Sequence, residues 1–146
     1  MSKCIFCDII AGKSEASFVL RDDRVVVFMD IQPINPGHML VVPITHAAYL
    51  SDLDVDTGAH MFRVAQNLAG ALRKSRLMCE GVNLFLADGE AAFQDVFHVH
   101  LHVIPRFDGD GFGLTFPEQY YRIPSRAELA RAANQIRKNL TPNNIE

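Results

Sequence analysis

Hydrophobic and polar residues alternate in short, strand-sized blocks along much of this chain. The run "SFVLRDDRVVVFMD" predicts two strands, about Phe18 to Arg21 and Val25 to Met29, joined at Asp22-Asp23. "IQPINPG" follows as a loop, because its two prolines forbid both a helix and a central strand. "HMLVVP" predicts a third strand that stops at Pro43, and "VNLFLA" a fourth after Gly81. Between them "SDLDVDTGAHMFRVAQNLAGALRKSRLM" changes period: Met61, Val64/Ala65, Leu68 and Leu72 recur at helical spacing. Asp52, Asp54 and Asp56 crowd the start of that helix and Arg73, Lys74 and Arg76 its end, as the helix dipole favours, and Gly81 is its expected stop. A second helix is expected in "PSRAELARAANQIRKNL", where Ser125 and Glu128 form a capping box and Leu129, Ala132, Ile136 and Leu140 one apolar stripe.

The fifth strand is "HVHLHVIPR", with His98, His100 and His102 at alternate positions and aliphatic residues between them. Five strands with two separate helices predict an α+β fold built on an antiparallel sheet. "FDGDGFGLTF" lacks the G-x-G-x-x-G spacing and follows no βα step, so it reads as a mobile turn rather than a phosphate loop. Arg106 reads as a solvated strand-end residue, and His60 and Cys79 as surface or packing residues.

Composition narrows the function. The chain has 146 residues, 49% apolar and 21% charged, enough for one cored domain. Its net charge of −3 argues against a nucleic-acid polymer as partner, and a phosphorylated ligand would need locally placed donors. The N-terminus resembles neither a signal peptide nor a membrane span, and three cysteines make no disulfide framework. A cytoplasmic protein with reduced thiols and no membrane partner is the expectation.

Alternate residues of a strand lie about 6.6 Å apart on one face. Three rings placed so can converge on one small group or form a relay. Two chemistries stay open on those residues alone. A His-x-His pair with one further ligand could hold a catalytic metal. Alternatively, one neutral imidazole could be a nucleophile, with its neighbours handling protons and phosphoryl oxygens.

Taken together, "CIFCDII", "PGHMLVVPITH" and "AAFQDVFHVHLHVIPR" resemble the histidine-triad (HIT) family of nucleotide hydrolases and transferases over roughly residues 4 to 106. The likeness is greatest to Hint-type bacterial members with an N-terminal Cys-x-x-Cys. It implies a HIT fold over residues 1–112 and a C-terminal extension, 113–146, carrying the short amphipathic helix in the same structural unit. It implies, too, a homodimer and a purine nucleotide substrate, such as a phosphoramidate, an acyl-adenylate or a dinucleoside polyphosphate. His100 would attack the α-phosphorus and form a covalent nucleotidyl-imidazole, which water or another acceptor then releases. His102 would bind the phosphoryl oxygens or leaving group, Gln94 would contact the phosphate, and His38 would support the cluster from a neighbouring strand. Asp30 would accept hydrogen bonds from the ribose hydroxyls. Zinc-bearing relatives imply a closed structural Zn2+ site from Cys4, Cys7, His46 and His98; without a metal, His98 would pair with His38. A nucleotide-binding regulatory or scaffold protein with little turnover is the competing expectation. It rests on three departures from the family pattern: Ala87, Phe93 and Asp95 stand where an amide, a glycine and a small hydroxyl residue are usual. An ionised Asp95 beside phosphate would have to point away, be protonated, or favour a positively charged leaving group.

Overall fold

The computed structural model describes residues 4–141, which divide into two compact units between Gly111 and Phe112. The first unit carries five antiparallel strands in the order β1-β2-β3-β5-β4: β1 (Phe18–Arg21), β2 (Val25–Met29), β3 (Met39–Pro43), β4 (Gly81–Phe85) and β5 (Leu101–Arg106). Helix α1 spans Ile5–Ile10 and α2 spans Val55–Lys74. The central strands are buried on both faces. Val25, Val27, Met39, Val41, Leu101 and Val103 pack with Met61, Ala65, Leu68 and Leu72 of α2. Val26, Phe28, Leu40 and Val42, one residue out of phase, pack with Phe6 and Ile9 of α1. Period-two geometry therefore explains why "VVVF" and "MLVVP" are apolar without interruption.

Three boundaries differ from those the sequence predicts, each for a local reason. Helix α2 stops at Lys74 rather than near Gly81, because the Ser75 hydroxyl donates to the Leu72 carbonyl and accepts the Leu77 N–H. Helix α1 has too few residues for a helical period to show; Cys4 is its N-cap, and the sulfur accepts the Cys7 N–H. Strand β5 begins at Leu101, not His98. The β3–β5 ladder begins at the Val41–Leu101 pair, and just before it Val99 N–H donates to the Ala47 carbonyl instead of a ladder partner.

Two expectations outside the histidines are corrected. Arg106 is not a solvated strand end: its guanidinium meets both carboxylate oxygens of Asp110, at 2.6 and 2.8 Å, and donates to Asn83 Oδ1. The turn after β5 is consequently tied down, because the buried Asp110 carboxylate also accepts from Asn35 Nδ2 at 2.8 Å. Asn35 donates to the Pro105 carbonyl as well, so the loop after β2 is pinned to the end of β5. His60, read as a surface or packing residue, is half-buried with Nε2 2.7 Å from the Asp22 carboxylate at the β1–β2 turn.

In the second unit α3 spans Arg126–Asn139, and its capping box forms as its sequence predicts. The apolar stripe of this helix is exposed at Leu129, Ile136 and Leu140. No helix of the described residues is long and apolar enough to cross a membrane.

Gly37 sets the approach to the site, since it directly precedes His38 and has φ +100°. A Cβ there would lie 2.9 Å from Leu77 Cδ1, 3.2 Å from Leu72 Cδ2 and 3.3 Å from Pro105 Cγ. Gly37→Ala is expected to cost about 1–3 kcal/mol through backbone strain and crowding together. The denaturant midpoint should fall at unchanged slope; an unmoved midpoint would show that this turn yields freely.

Candidate active site and metal cluster

The β5 register sends Leu101 and Val103 toward α2 and His102 toward the opposite face, where it lies across from Leu40. His98 and His100 continue that face in the extended segment before the strand. Both are buried, and Phe6 from α1 places its ring edge-on to them at 5.9 and 5.1 Å between centroids. The three alternate imidazoles thus sit beneath a helix, largely out of water.

Their backbone partners decide which nitrogen of each ring carries its proton. His100 Nδ1 is 2.8 Å from the His98 carbonyl, which can only accept, so the proton is on Nδ1 and the lone pair on Nε2. His98 is reversed: Nε2–H donates to the Pro43 carbonyl at 2.8 Å and Nδ1 is the acceptor. His38 Nδ1 accepts the Ile34 N–H at 3.1 Å, which puts the proton of the neutral ring on Nε2. That Nε2–H lies 2.8 Å from His102 Nδ1 and 3.4 Å from Asp30 Oδ2. His102 Nδ1 is then an acceptor, and its own proton is on Nε2. Burial lowers the pKa of His38 and His98, and burial followed by the charge of neighbouring His100 and His38 brings His102 down to about 4. His38, His98 and His102 are therefore neutral near pH 7, and hydrogen bonding gives the two cleft rings opposite roles: a lone pair at His100 Nε2 and a donor at His102 Nε2.

These two rings, Asp30, Phe28 and Ile31 line one cleft of about 270 Å³. Asp30 enters because its N–H continues the β2–β3 ladder to the His38 carbonyl, and its Oδ1 is held by the Gln32 N–H at 2.8 Å. Asp95 also faces the cleft, with Oδ1 3.6 Å from His100 Nε2, so it does not point away. Gln94 does not face it. Its Oε1 accepts from Gly89 N–H, and its Nε2 donates to the Ala48 and Val96 carbonyls, so the buried amide ties the loop down from within. Phe93 beside it has φ +67° and ψ +29°, the left-handed conformation natural to glycine. Among the described residues it is the only non-glycine with positive φ, and such a conformation costs about 1–2 kcal/mol. Ala87 is buried and its side chain has no polar atom to offer.

On the other side of His98 lies a second constellation. Its Nδ1 lone pair is 3.3 Å from Cys4 Sγ, 3.6 Å from Cys7 Sγ and 3.2 Å from His46 Nδ1, and Cys7 Sγ is 3.4 Å from His46 Nδ1. Ligands on a tetrahedral zinc-sized ion would be about 3.3–3.8 Å apart, from bond lengths of about 2.0–2.3 Å. The donor set and its spacing suit such an ion. The Pro43 carbonyl supplies the outer contact that orients a ligating imidazole. Without a cation, burial and the neighbouring Cys4 push the Cys7 thiol up to about 11. The sequence-based alternative of a His98–His38 pair does not occur, because His38 is engaged by His102.

His98 and His100 belong to no common ligand set, which separates the geometry from a His-x-His catalytic metal. Asp30, His38 and His102 also bring ligand atoms together. However, His38 Nδ1 already accepts from Ile34, so a metal on Nε2 would require an imidazolate. Sequence reasoning missed Phe6 as the cover of the rings and Ile34 as the group that fixes the relay; neither has a signal outside the fold.

The depressed His102 makes a pH prediction. Free imidazole titrates at about 6.5, so as pH falls below that value the unfolded chain takes up a proton that the folded chain refuses until about pH 4. Folding stability from this group should be full above about pH 6.5 and decline between there and pH 4. Ring-proton NMR should place the His102 midpoint near 4; a midpoint at the free-imidazole value would show that burial does not govern it.

Comparison with known proteins places these features. The family model described as the HIT domain matches residues 11–109. An uncharacterised HIT-like protein of Borreliella burgdorferi is 40% identical over 114 residues, covering 77% of this chain and 82% of the relative. A Zn-bound histidine triad family protein from Mycobacterium smegmatis superposes with TM-score 0.72 at 40% identity, covering 94% of this chain and 97% of that one. A histidine triad nucleotide-binding protein from Candida albicans gives TM-score 0.81 at 29% identity, covering 93% and 96%. With its sheet order, its buried histidines and nearly a hundred matched residues, this chain belongs to the HIT family.

Proposed function

We propose that the protein is a nucleotide hydrolase or transferase that attacks the α-phosphorus of nucleoside 5′-monophosphate derivatives through a covalent nucleotidyl-His100 intermediate. The observation that carries this reading is the bond from His100 Nδ1–H to the His98 carbonyl, which directs the Nε2 lone pair into the cleft. A nucleophilic imidazole needs that lone pair and a fixed ring. His102 Nε2–H serves as the donor to phosphoryl oxygens as charge develops. His38 is a positioning residue, because its Nε2–H fixes the His102 tautomer. Asp30 is the acceptor for the ribose hydroxyls, and the apolar wall of Phe28, Ile31 and Leu40 suits a purine. Gln94 acts by holding the 89–96 loop, and through it the phosphate end of the cleft.

In the first step the Nε2–P bond forms and the leaving group departs. In the second, water or another acceptor bonds to phosphorus, the P–N bond breaks, and His100 returns to its neutral form. Quenching a reaction with labelled adenosine 5′-phosphoramidate should trap an acid-labile adduct on the peptide bearing His100. His100→Ala should lower kcat/KM by about 10³-fold or more. Undiminished AMP release from that variant would overturn the assignment. Tight AMP binding with equally negligible turnover in both proteins would favour the binding protein, a reading to which the carboxylate of Asp95 beside Nε2 and the strained Phe93 lend weight.

Zinc belongs to the same proposal. Cys4, Cys7, His46 and His98 would hold it as a closed structural site, tying α1 to the segment before β5. No step of the reaction runs through it. Protein purified without chelator should contain about one zinc per chain, and Cys4→Ser or His46→Ala should lose it together with part of the thermal stability. A metal-free preparation of full stability would remove the claim. A homodimer completes the reading: β4 is an edge strand, and its Leu84 and Phe85 are exposed.

A further inference from the structure

Asp95 stands against the attacking nitrogen. Its Oδ1 lies 3.6 Å from His100 Nε2 and accepts the Val96 N–H at 2.9 Å, while the side chain is 80% exposed. A phosphorus atom about to be attacked sits about 3–3.5 Å from its nucleophile. The carboxylate oxygen therefore occupies the region where the transferring phosphoryl group must enter. Its exposure lets it turn aside on binding, but its backbone keeps the charge within a few ångströms of that group. The residue also borders a neighbouring cavity of about 400 Å³, lined by Cys4, His46, Ala48 and Phe97. Asp95 thus forms part of the wall between the cleft and the space beyond it, into which a departing group can move.

The charge balance around both spaces is unusual for a phosphate site. Among the described residues no Lys or Arg lines either cavity, whereas Glu15, Asp30 and Asp95 do. Apart from the neutral donor of His102, no cationic side chain among these lining residues offsets further negative charge. We propose that Asp95 is a specificity-determining residue: it selects substrates whose departing group is an amine, most strongly one bearing an additional ammonium, and disfavours those that release a phosphate chain. This inference rests on the nucleotidyl-transfer reading above.

In the step concerned, the His100 Nε2–P bond forms as the P–N bond of a phosphoramidate breaks. The bonding pair stays with the departing nitrogen, which takes one proton from solvent as the bond breaks and a second once it is free, and leaves as an ammonium at neutral pH. Asp95 accepts a hydrogen bond from its N–H groups as positive charge builds. A departing phosphate chain would carry the pair away as extra negative charge beside the same carboxylate. One uncompensated charge at this distance and exposure is of the scale that changes a rate about tenfold, or about 1.4 kcal/mol.

The test compares kcat/KM for two substrates in one buffer without divalent cations: the 2-aminoethyl phosphoramidate of AMP and diadenosine tetraphosphate. Wild type should prefer the former, and rising salt should shrink that preference. Asp95→Asn and Asp95→Ala should each shift the ratio about tenfold toward diadenosine tetraphosphate and remove its salt dependence. A shift below threefold in both variants, with turnover still abolished by His100→Ala, overturns the role of Asp95 alone. Turnover that survives His100→Ala, or a wild type that cleaves neither substrate, overturns the nucleotidyl-transfer reading and this inference with it.

Discussion

An imidazole buried in the neutral state has one N–H to satisfy and one lone pair to direct, and the backbone beside it chooses which nitrogen does which. The centre of this protein is organised by three such choices. The Pro43 carbonyl takes the Nε2 proton of His98, the His98 carbonyl takes the Nδ1 proton of His100, and the Ile34 N–H claims the Nδ1 lone pair of His38. His102 follows from His38. Three chemically identical side chains on one extended segment thereby acquire three different faces: a lone pair toward two cysteines, a lone pair toward a cleft, and a donor beside it. Desolvation keeps the arrangement in force, because it opposes the charged form in which both nitrogens would be donors.

His98 joins the two halves of the site. Its ring faces Cys4, Cys7 and His46, while its carbonyl orients His100. The short helix α1 contributes to both sides as well, with Cys4 and Cys7 at its start and Phe6 against the rings of His98 and His100. Anything that moves α1 therefore moves the cover of His100 and the sulfur cluster together. The opposite face of the sheet is an ordinary aliphatic core against α2, and it holds β5 in register without entering the chemistry.

The loop before the histidines shows how a local departure is accommodated. Phe93 holds a backbone conformation that glycine adopts freely, and the three backbone bonds of the buried Gln94 amide keep the loop in place despite it. Asp95 is the product of the same loop. Its carboxylate is carried to within 3.6 Å of the His100 nitrogen from the position next to the Gln94 amide that fixes the loop.

Much of this was legible in the order of residues. Short apolar blocks bounded by turn residues, the alternation in the last strand and a period of 3.6 located all five strands and the two longer helices, because the apolar pattern of an element follows how many of its faces are buried. The set Cys4, Cys7, His46 and His98 and the set Asp30, His38, His100 and His102 came from the likeness of three short motifs to the HIT family, and the folded chain brings the members of each set together. What only the folded chain decided is which nitrogen of each ring is free, that His38 meets His102 rather than His98, that Gln94 bonds to backbone, and that Asp110 captures Arg106. Those outcomes depend on carbonyls and N–H groups brought close from distant parts of the chain. Every residue other than proline carries the same backbone donor and acceptor, so no pattern of side chains can announce where they will point.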